Sequence, residues 1–322
     1  GHLLNWYDLT DRAPLRPRYV SSVDSGNFIA ALWTLDQGLE ELLNQPILST
    51  TAMRGLLDTA EILLEELSQE LDPGGEAELV TNLLNRIKEC PPGMLEIIRT
   101  LRMIHPISEA LAADQREEAN PDSGTAYWAR QLSRQVAAWI QVVDRYLIWI
   151  EILAERTEDE LAASGLDALF PLRAAFTGAL SLRMMAAGIY TGSNRLDLNQ
   201  LTSGVRDQDT VTWLERFHEA FSRAKWFSGE MLGLGETLQQ DGREFSREIN
   251  LRFLYDPARR LFSIGYNVTH SHLDGSYYDL LASEARLGSY VAIARGDVPI
   301  EHWLALNRPY SSHGQHRVLL SW

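Results

Sequence analysis

Apolar residues recur at every third or fourth position over most of this 322-residue chain, and this spacing constrains the fold more than any other feature. Such a repeat places apolar side chains on one face of an α-helix, where they can be buried together. In the first segment the repeat comprises Phe28, Leu32, Leu35, Leu39 and Leu42. The pattern predicts helices over residues 25–43, 51–71, 76–88, 94–106, 122–156, 166–190 and 212–240.

Short aromatic-rich segments replace the helical period near the end of the chain. Residues 251–255 and 261–266 are joined by Asp256-Pro257, which predicts a β-hairpin with its turn at this dipeptide. Helices are predicted again over 276–294 and 299–306, and residues 318–322 are typical of a strand. We therefore expect an all-α fold in a single domain, residues 1–322, forming part or most of an α/α toroid with a short hairpin near 251–266.

The composition excludes several classes of ligand and site. Asp and Glu total 44 and Lys and Arg total 29, so the formal net charge is −15. A nucleic-acid binder needs a basic face, and we therefore expect no nucleic-acid partner and favour a neutral ligand. The single cysteine, Cys90, allows neither an intrachain disulfide nor a cysteine-based zinc site. No apolar run is long enough to predict a membrane-spanning segment.

Several well-known catalytic signatures are absent from the sequence. It contains no G-x-S-x-G nucleophile motif, no P-loop and no dinucleotide-binding fingerprint. Two histidine pairs, His270 with His272 and His313 with His316, lie in polar, loop-like contexts without an acidic helix motif to complete a metal site. We therefore expect neither a metal nor a cofactor.

Glu284 is the carboxylate whose context is most informative. On the predicted helix 276–294 it shares a face with Tyr277, Leu280, Leu287 and Val291. Burying an unpaired carboxylate among such residues is costly. One interpretation is a structural ion pair, for example with Arg286. The other is a carboxylate beside a sugar pocket, and the residues alone favour the ion pair. In either case we expect Glu284 to be buried and bonded to an Arg, a Tyr or a backbone N–H.

The first residues of the chain form a second cluster of chemical interest. Trp6 and Tyr7 precede Asp8, and Asp24 and Asn27 follow soon after. Aromatic rings can stack on the C–H faces of sugars, while carboxylates and amides bind sugar hydroxyls. The alternative is that Trp6 and Tyr7 are core residues and that Asp24 only caps a helix.

Both ends of the chain carry motifs that resemble a known family. They are GHLLNWYD at 1–8, RYVSSVDSGN at 18–27, FLYD at 253–256, RLFSIGYN at 260–267, SYYDLLASEARL at 276–287, GDVP at 296–299 and HW at 302–303. In content and order these blocks resemble the glycoamylase-like domain of cyclic β-1,2-glucan synthases. The middle of the chain, about residues 45–243, consists of generic helical sequence.

The resemblance implies both an architecture and an activity. The domain would be an (α/α)6 toroid that closes linear β-1,2-glucan into a ring by retaining transglycosylation. It would work beside glycosyltransferase and phosphorylase-like domains of the same parent chain, on the cytoplasmic side of an inner membrane. Two alternatives stay open: a non-catalytic module that binds or guides the glucan, and a hydrolase similar to endo-β-1,2-glucanases.

The resemblance also supplies candidate site residues without assigning a catalytic pair. The candidates for catalysis are Asp8, Asp24, Asp279 and Glu284. The candidates for substrate binding are Trp6, Tyr7, Asn27, Tyr277, Tyr278 and Trp303. Because early and late helices meet in a toroid, we expect Trp6, Tyr7, Asp8 and Asp24 to share a pocket with Tyr278 or Asp279.

Two departures from the family pattern bear on the activity. Phe28, Ala30 and Ala31 stand where the family commonly has Leu and then Gly-His, so a histidine contact would be missing here. The chain also stops at Ser321-Trp322, where the family continues into a segment with a Phe-Glu-Tyr motif. We therefore expect a domain truncated at its C-terminus, with an essential Glu downstream.

Overall fold

The computed structural model describes residues 1–69, 75–117, 123–188, 205 and 207–321. This part of the chain is mostly helical, with a few short antiparallel strands. The elements are β1 (Tyr19–Ser21), α1 (Ser22–Asn44), α2 (Thr50–Ser68), α3 (Glu76–Lys88), α4 (Met94–Glu117), α5 (Gly124–Val142), a π-helical turn (Val143–Leu147), α6 (Ile148–Ala154), α7 (Glu158–Ala163), a 3-10 helix (Asp167–Phe176), α8 (Leu182–Ala187), α9 (Gln208–Glu248), a 3-10 turn (Arg252–Leu254), β2 (Tyr255–Asp256), β3 (Leu261–Ser263), β4 (Gly265–Asn267), β5 (His272–Leu273), β6 (Tyr277–Tyr278), α10 (Ala285–Ala294), α11 (Glu301–Ala305), β7 (Tyr310–His313) and β8 (His316–Leu319).

Helices with both a regular apolar period and a capping residue form close to where the sequence predicts them. Helix α2 begins after Ser49, whose hydroxyl accepts a hydrogen bond from the Thr51 N–H at 3.3 Å. Helix α5 begins after Ser123, which accepts from the Ala126 N–H at 3.1 Å. A side-chain acceptor at this position satisfies one of the free N–H groups of the first turn. Helix α3 has the predicted bounds.

Two helix predictions need correction. Helix α4 does not end at Pro106 but continues through it to Glu117. The buried Leu101, Ile104 and Leu111 hold both sides of the proline in the core, and this packing outweighs the loss of one backbone hydrogen bond, about 3 kcal/mol. The segment predicted as a helix over 166–190 is a 3-10 helix followed by the short α8. Residue 190 lies outside the described residues.

The first helix is also less buried than its sequence predicts. Phe28, Leu32 and Leu39 are half-buried, but Leu35 and Leu42 are 49% and 60% exposed. Periodicity identifies a helix and its apolar face, yet it does not show whether another element covers that face. The predicted core stripe is therefore only partly correct.

The chain divides into two compact units, residues 42–234 and residues 1–41 with 235–322. The unit 42–234 is helical and has one large core that draws on helices α2 to α9. Trp149 is fully buried there; its indole N–H donates to the Tyr146 carbonyl at 3.1 Å, and its ring meets Phe217 and Phe221 edge-on. Such edge-to-face contacts add to the free energy gained by burying the rings.

The other unit contains the short strands, in three small antiparallel sheets. Their strand orders are β1-β4-β5, β2-β3-β6 and β7-β8. The predicted hairpin exists as β2 and β3, but its strands are shorter than expected because residues 252–254 form a 3-10 turn. The expectation of one hairpin is therefore incomplete. Phe262, Leu254, Ile29 and Val291 belong to the buried core of this unit.

No helix among the described residues has the length and apolar character needed to cross a bilayer.

Candidate functional site

The two motif regions, which lie at opposite ends of the chain, meet in one β-sheet. Strand β1 pairs with β4, so that Tyr19 faces Asn267, Val20 faces Tyr266 and Ser21 faces Gly265. Directly after this sheet, the Ser22 hydroxyl donates to the Ser263 carbonyl at 2.8 Å. These bonds fix the start of helix α1 against the late motif, and Asp24 lies in the first turn of that helix.

Helices α1 and α10 approach each other through two glycines. A Cβ atom added to Gly26 would lie 2.4 Å from the Gly288 Cα, so the backbones are in direct contact at this point. Only residues without a side chain permit so close an approach. Asp24 and Asn27 therefore stand on either side of the α1 glycine, and Glu284 precedes α10 by one residue.

Tyr278 and Glu284 form the most distinctive side-chain pair of this region. The Tyr278 hydroxyl donates to Glu284 Oε1 at 3.0 Å, and the tyrosine is 8% exposed. Burial is the main cause that raises the pKa of Tyr278, followed by the hydrogen bond to Glu284 and the negative charges of Glu284 and Asp24. Tyr278 therefore keeps its proton at neutral pH and holds the Glu284 carboxylate in place.

A second tyrosine–carboxylate pair lies beside the first. The Tyr19 hydroxyl donates to Asp274 Oδ2 at 3.2 Å. Burial and the nearby Asp274 charge raise the pKa of Tyr19 to about 12. This phenol therefore also stays neutral and acts as a hydrogen-bond donor.

The predicted environment of Glu284 is wrong in two respects. The helix predicted over 276–294 begins only at Ala285, because Tyr277 and Tyr278 pair with Ser263 and Phe262 as strand β6. Glu284 is exposed rather than buried on an apolar stripe, and Leu287 beside it is 48% exposed. The predicted hydrogen bond to a tyrosine is present. An ion pair with Arg286 does not occur among the described contacts.

Trp6 and Tyr7 are exposed, and the half-buried Asp8 directly precedes a turn at residues 9–11, which excludes the alternative that these aromatic residues belong to the core. Trp6 is 67% exposed and Tyr7 is 40% exposed. Asp8 Oδ1 accepts from the Thr10 N–H at 2.7 Å, and this bond lowers the pKa of Asp8. The described bonds of Asp8 stay within residues 8–13. A pocket shared by Asp8 with Tyr278 or Asp279 stays a prediction.

The remaining predicted residues occupy defined positions near the strands. The Tyr277 hydroxyl donates to Asp256 Oδ2 at 3.0 Å, and the Arg259 guanidinium lies over its ring. Asp279 is half-buried, and its carbonyl accepts from the Asn307 N–H at 2.7 Å. Trp303 is half-buried on α11 and Asn27 is exposed on α1. These contacts anchor Tyr277 and the backbone of Asp279.

The histidines serve structural roles where their contacts are described. His302 is fully buried; its Nδ1 lies 2.9 Å from the Arg260 carbonyl and its Nε2 lies 2.9 Å from the Ser289 hydroxyl. Burial lowers the pKa of His302. His270 and His272 lie close together on the surface, and the described part of the chain contains no group of three or more metal-ligating side chains.

Comparison with known proteins tests the resemblance that the motifs carry. No protein-family model matches the chain. Over its whole length the chain is 30% identical, across 330 aligned positions, to the cyclic beta-(1,2)-glucan synthase NdvB of Rhizobium meliloti (strain 1021). The predicted resemblance to cyclic β-1,2-glucan synthases is confirmed. The chain spans 9% of the length of that synthase, and the match includes both motif regions and the helical segment between them.

The sequence alone did not reveal the glycine contact or the Tyr19–Asp274 pair. Gly26 is part of the early motif and Gly288 lies within an apolar helical pattern. A glycine inside a helix often marks a close packing contact, so the sequence could have indicated that a neighbouring element packs closely at each of these two positions. Which helix each one contacts depends on pairing across some 260 positions, which a local pattern does not encode.

Proposed function

We propose that this chain is a domain of a cyclic β-1,2-glucan synthase that binds linear β-1,2-glucan and closes it into a ring by retaining transglycosylation. The observation that carries the proposal is the similarity to NdvB over the whole chain, including the motifs that the structure brings together around Tyr278. The domain would form part of an (α/α)6 toroid in a parent chain with glycosyltransferase and phosphorylase-like domains, on the cytoplasmic side of the inner membrane.

Asp24 and Glu284 are the carboxylates that the geometry favours for this chemistry. Both negative charges help to raise the pKa of Tyr278, and Glu284 also accepts its hydrogen bond. Glu284 is exposed although one of its oxygens is bound, and Asp24 is exposed on α1. Each is therefore accessible to a sugar. Asp8 and Asp279 stay candidates with no described contact to this pair.

Ring closure by a retaining route has two balanced steps. In the first, one carboxylate attacks the anomeric carbon, the glycosidic bond breaks, and the departing oxygen takes a proton from an acid. In the second, the hydroxyl at the non-reducing end of the same chain attacks the glycosyl ester, the carboxylate is released, and the hydroxyl proton returns to the acid. Water in place of that hydroxyl would give hydrolysis.

The test is to incubate the purified chain with linear β-1,2-glucan and to analyse the products by mass spectrometry. A cyclic product is lighter than the linear glucan of the same length by one water and supports ring closure. Shorter linear products support a hydrolase. Binding by calorimetry without any product supports a binding module, and the absence of both binding and product contradicts the proposal.

Variants of the two carboxylates extend the test. We expect Asp24→Asn and Glu284→Gln to reduce product formation while the fold, followed by circular dichroism, is kept. Asp241→Asn, an exposed carboxylate on α9, is the matched control. Wild-type product yields in both site variants would exclude Asp24 and Glu284 from the reaction.

A further inference from the structure

An open groove of about 470 Å³ lies between helices α1 and α10, beyond the glycine contact. The α1 wall includes Ala30, Trp33, Gln37 and Glu41, and the α10 wall includes Leu287 and Tyr290. The volume falls within the range of small-ligand sites, about 300–1,000 Å³. None of these residues was predicted to bind substrate.

Two aromatic side chains give this groove its chemical character. Trp33 is 39% exposed and Tyr290 is 61% exposed. Exposed rings of this size present flat apolar faces that can stack on the C–H faces of a pyranose ring. At the far end, Gln37 Nε2 donates to Glu41 Oε1 at 3.1 Å, one helical turn apart. This bond orients an amide and a carboxylate that can bind sugar hydroxyls.

The charge of the groove disfavours anionic ligands. Among its lining residues Glu41 is the one that carries a charge at neutral pH, and the whole chain has a formal net charge of −15. Phosphates and nucleic acids are therefore repelled. An uncharged oligosaccharide can stack on the aromatic rings and hydrogen-bond to the polar end of the groove. Its binding avoids the large cost of removing water from an ion.

The groove and the candidate carboxylate site are built on the same two segments of the chain. Asn27 lies three residues before Ala30 on α1, and Glu284 lies three residues before Leu287 at the start of α10. Residues three apart share a helix face. The groove-lining residues thus follow Asn27 on α1 and Glu284 at the start of α10 by one helical turn.

A glycine in the groove wall indicates that open space is maintained there. Gly38 also lines the groove, and a Cβ atom added at this position would meet nothing within 4 Å. Glycine inside a helix costs about 1 kcal/mol relative to alanine. No packing contact therefore requires a glycine here, and this part of the groove wall carries no side chain.

We propose that this Trp33–Tyr290 groove is a distal subsite that binds further glucose units of a β-glucan chain whose reacting unit lies at Asp24 and Glu284. The inference rests on the proposed function. Trp33 and Tyr290 bind sugar rings by stacking and do not take part in bond cleavage. Their contribution therefore depends on the length of the glucan.

The test measures the affinity of the 322-residue chain for a short and a long linear β-1,2-glucan by calorimetry. We expect Tyr290→Ala and Trp33→Ala to weaken binding of the long glucan about tenfold, the effect of one lost aromatic contact of about 1.4 kcal/mol. Binding of the short glucan should stay at the wild-type value. Tyr290→Phe, which keeps the ring, should restore long-glucan affinity.

Exposed aromatic residues elsewhere provide matched controls. Tyr127→Ala and Trp226→Ala remove side chains that are 48% and 59% exposed on α5 and α9 and should leave both affinities unchanged. Tyr290→Ala is the decisive variant, because Trp33 also borders a separate hollow with Arg243.

Each unfavourable result has a distinct meaning. If the wild-type chain binds the long glucan and Tyr290→Ala binds it equally well, the groove is not a subsite, while the proposed function stands. If the wild-type chain binds no β-1,2-glucan of either length, the proposed function fails as well. A change in oligomeric state by light scattering, with glucan affinity intact, would show the groove to be a protein interface and overturn the proposal.

Discussion

Replacing Gly26 with alanine should destabilise the unit that holds the candidate site, whereas the same change at Gly288 should not. In Gly26→Ala the new Cβ atom would lie 2.4 Å from the Gly288 Cα and 3.5 Å from both its carbonyl carbon and its nitrogen. Carbon atoms in contact are ordinarily about 3.5–4.0 Å apart. The helices α1 and α10 must therefore separate by about 1 Å, and backbone atoms offer no flexible side chain to relieve the contact.

The magnitude follows from two opposing contributions. Overpacking of this kind costs about 1–3 kcal/mol, and the short distance places Gly26→Ala at the upper end. Alanine in a helix recovers about 1 kcal/mol relative to glycine. We expect a net loss of about 2 kcal/mol. In Gly288→Ala the nearest atoms are the Gly26 Cα at 3.4 Å and the Ser22 carbonyl at 3.7 Å, so stability should be unchanged or slightly higher.

Urea unfolding followed by circular dichroism measures the free energy of unfolding of Gly26→Ala, Gly288→Ala and a third variant, Gly38→Ala, each against the wild type. Gly38→Ala, on the same helix but facing open space, controls for helix propensity and should stabilise the chain by up to about 1 kcal/mol. Because separation of the helices would also move Asp24 away from Glu284, Gly26→Ala should lower glucan affinity. Equal stability of Gly26→Ala and the wild type, or equal losses in both glycine variants, would refute the packing argument.

Three further predictions concern the core and the titrating groups. Trp149→Ala should lose about 3–5 kcal/mol in urea unfolding, because it empties a fully buried site; a loss below about 1 kcal/mol would contradict that packing. The buried His302 has a lowered pKa, so the unfolded chain binds its proton first as the pH falls and stability decreases below about pH 6.5. His302→Gln should flatten this dependence, and an unaltered slope between about pH 7 and pH 5 would contradict it. An ultraviolet titration counts the tyrosines that ionise at each pH. Compared with the wild type, Tyr19→Phe should lack one phenol that ionises near pH 12. If the variant instead lacks a phenol that ionises near pH 10, the prediction is wrong.

The helices were predictable because their information is local. The apolar period and the caps at Ser49 and Ser123 lie within a few residues of the bonds that they form. The prediction that α4 ends at Pro106 failed because the information that decides it is not local. The residues that hold the helix together around the proline include Leu101 and Ile104, and they pack against residues distant in sequence. Local rules give the usual cost of a proline but not the packing that compensates for it.

The strands and the site depended on pairing that the sequence does not display. Strand β1 pairs with β4 across about 245 positions, and each strand has only three residues. Tyr277, Leu280 and Glu284 are spaced by three and four positions, which imitates a helical face, although the tyrosine belongs to a strand. The motifs at the two ends nevertheless indicated that distant segments act together, and their meeting in one sheet agrees with that expectation.

The environment of Tyr278 narrows its role in any reaction at this site. Burial and two negative charges oppose loss of its proton, so the phenol is a poor acid near neutral pH, and its hydrogen already points to Glu284. It is therefore poorly suited to supply the proton that a departing sugar oxygen requires. In the proposed reaction Tyr278 is instead a positioning residue: its hydrogen bond fixes one oxygen of Glu284, and the rest of that exposed carboxylate stays accessible. The proposed reaction therefore assigns proton transfer and nucleophilic attack to carboxylates, which is why Asp24 and Glu284 are the variants that test it.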